Sequence, residues 1–323
     1  MELEIDEGLL ADFERKLDPR HPEAGEMGAR VLGYGEISTV FEIGPEKSAG
    51  IAYKRMPIFT SEDELESYRW IFREYNRVLS EEVGIRLPAY GCAHVEGASG
   101  KPVMFLAQRK LDEASIGNKA IHVLPAGDVN RLVRQVLREL ARVWRFNANQ
   151  AEMELGIDGQ VSNWAIEGFG AGSRELPAEF SLLYLDTSTP FIRLDGTEQL
   201  DPELFLRSAP SFLVWVLRAL FLEDVMTRYY DLHLVAVDLI ANFYKEQLPE
   251  LIGSLVEEAN NFFDSEAPEL AVEPLTEKEI RSYYRQDALI WKLYLSMRKT
   301  DRFMRTRLSR RGYPYILPGK IKR

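Results

Sequence analysis

The chain has few of the groups that crosslink or chelate. Cys92 is the single cysteine among 323 residues, and the four histidines are widely spaced. One cysteine excludes an intrachain disulfide, and there is no cysteine cluster to hold a structural zinc ion. Long apolar runs are missing too. The longest, Phe212 to Leu222, is interrupted by Arg218 and reaches only about half of the ~20 residues that a bilayer-spanning helix needs. It reads as a buried helix. The opening stretch, MELEIDEGLLADFERK, is acidic and lacks the apolar segment of a secretory signal. A cytoplasmic location without membrane attachment is therefore expected. A net charge of −11 speaks against a broad nucleic-acid footprint, so nucleic acid is not an expected partner.

What is present is an ordinary globular composition. Hydrophobic residues make up 46% and charged residues 28%, which excludes a disordered chain. The length predicts about two domains or lobes. Charge is unevenly placed: from Arg298 to Arg323, ten basic residues stand against one acidic residue, Asp301. The plain reading is a solvated basic helix end and tail. The sharper reading is a dock for an anionic partner, or for the acidic body of the same chain.

Residues 1–28 read as an acidic leading helix with Leu9, Leu10 and Phe13 on one side, stopped by Pro19 and Pro22. From Ala29, short apolar runs alternate with glycine turns, a pattern of strand, turn, strand, turn, strand. Ser61-Glu-Asp-Glu64 fits a capping box. Leu65, Tyr68, Ile71, Phe72, Tyr75, Val78 and Leu79 then recur at helical spacing. Two more strands are expected at about 89–95 and 102–106. Beyond Lys110 helices dominate, led by an amphipathic segment over 129–146, with short strands at 164–166 and 180–185. The organisation predicted is a leading helix (1–28), a strand-rich lobe (29–110), a helical lobe (111–297) and a basic tail (298–323). The boundary falls near 108–117, and two such lobes would leave a cleft between them.

Five features carry candidate chemistry. Gly33-Tyr-Gly35-Glu-Ile-Ser38 lies between two strands. Its glycines would let backbone N–H groups approach a phosphate, although Gly-x-Gly is also a common hairpin turn. Lys54 ends an apolar strand, as a fixed charge in a cleft or as a surface lysine. Glu74, on the helix, is a candidate partner for Lys54, with Glu64 and Glu66 as rivals. Asp158 and Asn163 are five residues apart, so that a carboxylate could take a hydroxyl proton and an amide oxygen could serve Mg²⁺. The bland alternative is an Asx turn. Asp186 directly follows an apolar strand, placed for a metal or for an N-cap.

Taken in order, these features resemble the protein-kinase-like fold, in particular its small-molecule branch of aminoglycoside phosphotransferases and choline kinases. The best local match is Glu74-Tyr-Asn-Arg-Val-Leu…Gly84-Ile-Arg-Leu-Pro88. The resemblance covers roughly residues 29–195. It implies an α+β, bilobal fold with a small antiparallel-sheet lobe and a large helical lobe. It further implies that Gly33, Gly35 and Ser38 cover nucleotide phosphates, that Lys54 contacts them while paired to Glu74, and that the 106–110 segment, Gln108 included, borders adenine. Asp158 would be the catalytic base, and Asn163 and Asp186 would hold Mg²⁺. ATP and Mg²⁺ are thus the implied cofactors, with a small-molecule hydroxyl or amine as acceptor. In the helical lobe, Asp231, His233 and Asp238, in Tyr229-Tyr-Asp-Leu-His233 and beyond, would give an acidic, aromatic lining suited to a cationic acceptor, or equally serve ordinary helix packing.

The chain also departs from the family pattern. Ser38 replaces the third glycine, Gly156-Ile157-Asp158 lacks the usual histidine, and Thr-Ser follows Asp186. No Ala-Pro-Glu segment follows, which argues against a protein kinase with a standard activation loop. These departures motivate a second expectation, a pseudokinase that senses nucleotide or docks a partner without transferring phosphate. A third is transfer of the nucleotidyl group.

Overall fold

The alternation of apolar and polar residues after Ala29 builds one antiparallel sheet. In the computed structural model, which describes residues 3–25, 27–35, 38–44, 50–98, 100–207, 227–303 and 315–316, five strands form it: β1 (Arg30–Tyr34), β2 (Thr39–Glu42), β3 (Ile51–Met56), β4 (Tyr90–Glu96) and β5 (Pro102–Arg109). Their order is β1-β2-β3-β5-β4, and every pair is antiparallel. The period of two sends Tyr53 and Arg55 to one face and Lys54 and Met56 to the other.

The outer face is closed by α1 (Glu7–Lys16), whose Leu9, Leu10 and Phe13 pack on Phe41, Tyr53 and Phe105. Arg55 on this face meets Glu14 of α1 with two contacts of 2.6 Å, both side chains almost fully buried. The inner face packs Met56, Met104 and Leu106 against Leu65, Tyr68 and Phe72 of α2 (Glu62–Arg77). Ser61 caps α2 by accepting the N–H of Glu64 at 3.3 Å. The expected capping box is only half formed, because the Glu64 carboxylate reaches back one residue further, to the N–H and hydroxyl of Thr60. A π-helical turn over Val78–Val83 follows, and Gly84 ends it at φ +82°, a conformation that suits glycine.

Among the described residues, the helices beyond the sheet are α3 (Gly117–Ala120), α4 (Ala126–Ala148), α5 (Glu203–Leu206), α6 (Leu232–Lys245), α7 (Ile252–Glu266) and α8 (Glu277–Phe303). Between them lie two small sheets. β7 (Trp164–Ile166) pairs with β8 (Leu182–Tyr184), and β6 (Met153–Leu155), β9 (Ile192–Leu194) and β10 (Thr197–Glu198) form the order β10-β9-β6. The apolar stripe of α4, from Val129 to Val143, is fully buried in a core shared with α6 and α7.

The leading helix, the five strands, α2 and α4 are therefore where the patterning placed them. β5 runs three residues further than expected, to Arg109, and β6, β9 and β10 are additions. The stretch from Phe212 to Leu222 lies outside the described residues, as do 304–314 and 317–323 of the basic tail. Where the tail is described, Lys299, Thr300 and Phe303 are exposed, but three other residues are packed. Arg298 is buried, with its guanidinium 5.3 Å from the ring centre of Tyr315. Tyr315 joins the inner core and Ile316 the outer one.

Candidate active site

Lys54 stands on the inner face of the central strand β3, opposite Val40 on one side and Leu106 on the other. Its Nζ donates to Asp186 Oδ1 at 2.7 Å and to Ser188 Oγ at 2.5 Å. Asp186 enters from the loop after β8. Two residues on, Ser188 closes an Asx turn, its N–H at 3.2 Å and its hydroxyl at 2.6 Å from the same Asp186 Oδ1. Burial raises the Asp186 pKa, but the Lys54 charge and these hydrogen bonds outweigh it, so the carboxyl sits below its usual range.

Asp158 lies within reach of the Asp186 charge. The chain reaches it through Gly156, whose carbonyl accepts from the Tyr75 hydroxyl of α2 at 2.8 Å. The Asp158 carboxylate accepts the N–H of Gln160 at 3.1 Å, the Asx turn that the spacing allowed. Asn163 donates its Nδ2 to the Asp158 carbonyl at 3.3 Å, which turns its amide oxygen away from that carbonyl. The N–H of Leu185 donates to the Asn163 carbonyl at 2.8 Å. This bond ties the Asp158–Asn163 segment to the strand that delivers Asp186. Packing on the far side is just as tight: a Cβ on Gly117 would sit 2.2 Å from the carbonyl oxygen of Val161, in the turn that carries Asn163.

Behind Asp158 is a half-buried polar cluster around Asp238, whose links the sequence did not reveal. Gln160 donates to Asp238 of α6 at 3.1 Å, and Lys245 donates to Gln160 at 3.4 Å. Arg228 donates to the Tyr283 hydroxyl at 2.8 Å and lies over the Tyr229 ring. Burial, the nearby Asp238 charge and, more weakly, Asp186 push the Asp158 carboxyl up to about 7, against the Gln160 N–H and Arg228. Burial also raises Asp238, and Arg228 opposes the rise. The other two residues singled out on this stretch hold local structure. Asp231 caps α6 through the Leu234 N–H at 3.1 Å, and His233 sits 2.7 Å from Glu279.

One expected assignment needs correction. Glu74 does not pair with Lys54; its carboxylate holds Arg77 bidentately, at 2.7 and 3.0 Å. A partner three residues away on the same helix face competes with a cation across the sheet, and it wins here. The rivals are engaged as well, Glu64 with Arg207 and Glu66 with Arg69. Gln108 lies within β5, between β3 and β4. Its amide donates to the Leu185 carbonyl at 2.7 Å, and the N–H groups of Arg109 and Lys110 are engaged by Ala89 and Gly50.

The described ends of the glycine segment meet at the sheet edge. Gly35 N–H donates to the Ser38 carbonyl at 3.0 Å, and Gly33 pairs with Val40 of β2. A Cβ on Gly33 would meet nothing within 4 Å, whereas one on Gly35 would lie 2.6 Å from Ser38 Oγ. Glu36 and Ile37 lie outside the described residues.

Two residues of the site were missed: Tyr68, whose hydroxyl donates to the Ser188 carbonyl at 2.7 Å, and Ser188 itself. The Asp-Thr-Ser sequence carried a signal for Ser188, since a serine two residues after an aspartate suits an Asx turn. Tyr68 carried none beyond its place in an apolar stripe. Among the described helices, none is long and apolar enough to cross a membrane.

No curated protein matches the chain. A solved structure described as WaaP in complex with acyl carrier protein aligns with 12% identity and a TM-score of 0.31, covering 72% of this chain and 88% of that one. A likeness of that size carries no argument about the site. The model of a family of unknown function, DUF6206, matches residues 20–302, and the chain belongs to that family.

Proposed function

We propose that the protein is an ATP- and Mg²⁺-dependent phosphotransferase of bilobal, protein-kinase-like architecture. It would transfer the γ-phosphate to a hydroxyl or amine of a small molecule. The observation that carries this reading is the convergence of Lys54, the Asp158–Asn163 segment and Asp186, from three separate stretches of chain, tied by the Leu185–Asn163 hydrogen bond.

The donor set suits the cofactors. A carboxylate from Asp186 and an amide oxygen from Asn163 are hard oxygen ligands of the kind Mg²⁺ takes. When bound, Mg²⁺ would neutralise phosphate charge. Lys54 adds a fixed positive charge next to Asp186, and the backbone at Gly33 is open to close approach. Asp158, with its raised pKa, would accept the acceptor's proton near neutral pH. Positioning and charge stabilisation would supply most of the acceleration. Glu74 has no part in this scheme.

Thermal unfolding with and without Mg-ATP tests the nucleotide half. Binding at 100 times Kd stabilises by about 2.7 kcal/mol, and this shift is expected in the wild type and not in Asp186→Ala. An acceptor screen then reads transfer by mass, phosphate or AMP, and Asp158→Asn should abolish it. The direct Lys54–Asp186 pair favours a second reading, a nucleotide sensor without transfer, because a cation at Asp186 must compete with it. Mg-ATP binding with no turnover on a broad metabolite panel would select that reading.

A further inference from the structure

We infer that Ser188, itself held by Tyr68, positions the Lys54 ammonium, and that no carboxylate of α2 does so. The inference rests on the phosphotransferase reading and names a positioning residue within it. Each glutamate of α2 that could reach across is engaged by another side chain. Glu64 is bidentate to Arg207, Glu66 pairs with Arg69, Glu74 with Arg77, and Glu62 lies 3.3 Å from the His94 ring. α2 buries an apolar stripe, and the Tyr68 hydroxyl of that stripe donates to the carbonyl of Ser188, the residue that contacts Lys54.

The hydrogen bonds orient Ser188 fully. Its Oγ accepts from Lys54 at 2.5 Å and donates to Asp186 Oδ1 at 2.6 Å, so the proton faces the carboxylate and a lone pair faces the ammonium. Tyr68 fixes the same residue from behind by donating to its carbonyl at 2.7 Å. This arrangement has a consequence that a carboxylate partner would not give. When Asp186 turns to a cation, Lys54 loses its anionic partner but keeps the hydroxyl. A neutral partner holds the ammonium in place without cancelling its charge, which remains available to a phosphate.

The test compares Ser188→Ala, Ser188→Thr, Tyr68→Phe and Glu74→Ala in the full chain by two measurements. The first is the rate of acylation of Lys54 by an amine-directed reagent, resolved by mass spectrometry and needing no nucleotide. The second is Mg-ATP affinity by calorimetry. Ser188→Ala and Tyr68→Phe should each speed acylation and weaken Mg-ATP binding about tenfold, the scale of one charge-assisted hydrogen bond. Ser188→Thr should restore both, which a purely structural role for Ser188 would not require, and Glu74→Ala should move neither. Faster acylation in Glu74→Ala, or an unchanged rate in both Ser188→Ala and Tyr68→Phe, overturns the proposal. Should Ser188→Ala fail to fold, Tyr68→Phe and Ser188→Thr decide it. If the acylation pattern appears while the wild type binds no Mg-ATP, the positioning role stands and the phosphotransferase reading falls.

Discussion

At the scale of single residues, Asp158 couples the chemistry proposed here to stability. Its folded pKa of about 7 lies above the ordinary 3.8. The folded state therefore binds more protons than the unfolded one between those values, and stability falls as pH rises across that window. Asp158→Asn keeps an acceptor for the Gln160 N–H and removes the charge. It should stabilise the protein at pH 8 by on the order of 1–3 kcal/mol, with the gain gone below pH 4, as urea unfolding across pH would show. The same substitution should abolish transfer, so a loss of activity would come with a gain in stability. Gly33→Ala makes the complementary case. Nothing lies within 4 Å of the added Cβ, so the melting temperature should stay put while Mg-ATP affinity drops. Lys54 and Asp186 were legible because strand alternation and a strand end dictate where they point. The Glu74 assignment failed because Arg77, one turn away, offered a nearer cation. Ser188 and Tyr68 act through a serine carbonyl and two hydroxyls, and no spacing rule announces such bonds.

At the scale of elements, two glycines decide whether the local architecture holds. Gly84 ends the π-helical turn at φ +82°, with open space except for Arg142 at 3.5 Å. Gly84→Ala should cost about 1 kcal/mol from backbone strain alone, and Gly84→Asn less. Gly117 is the harsher case, because its Cβ would strike a backbone oxygen at 2.2 Å. Gly117→Ala must displace the Val161–Asn163 turn, so it should weaken Mg²⁺-dependent nucleotide binding as well as the fold. A matched comparison of thermal shift with and without Mg-ATP would show both. Long periodic segments such as α2 and α4 were readable with near-correct ends. The three-residue strands β6 and β9 were not, whereas the equally short β7 and β8 were, because Trp-Ala-Ile and Leu-Leu-Tyr are unbroken apolar runs while Met-Glu-Leu and Ile-Arg-Leu carry a charge at the centre.

At the scale of the whole molecule, the two faces of the five-stranded sheet hold two separate cores, and adjacent residues of the tail join one each. Tyr315 also donates to the Arg207 carbonyl at 3.2 Å, while Arg207 clasps Glu64 of α2. Tyr315→Ala should therefore lower stability by about 3 kcal/mol, as for a large buried ring elsewhere, measurable by denaturant unfolding. The basic charge of the tail was plain in the sequence, but its anchors were not, because the surface they cover is built more than half a chain away. That distance bears on how the protein is made. A ribosome delivers α1 and all five strands early, yet the residue that completes their outer core emerges only after the helices have been synthesised. The sheet must wait with an unfilled edge beside Ser38 and Thr39, and fusions to the C-terminus should disturb the first module of the chain rather than the last.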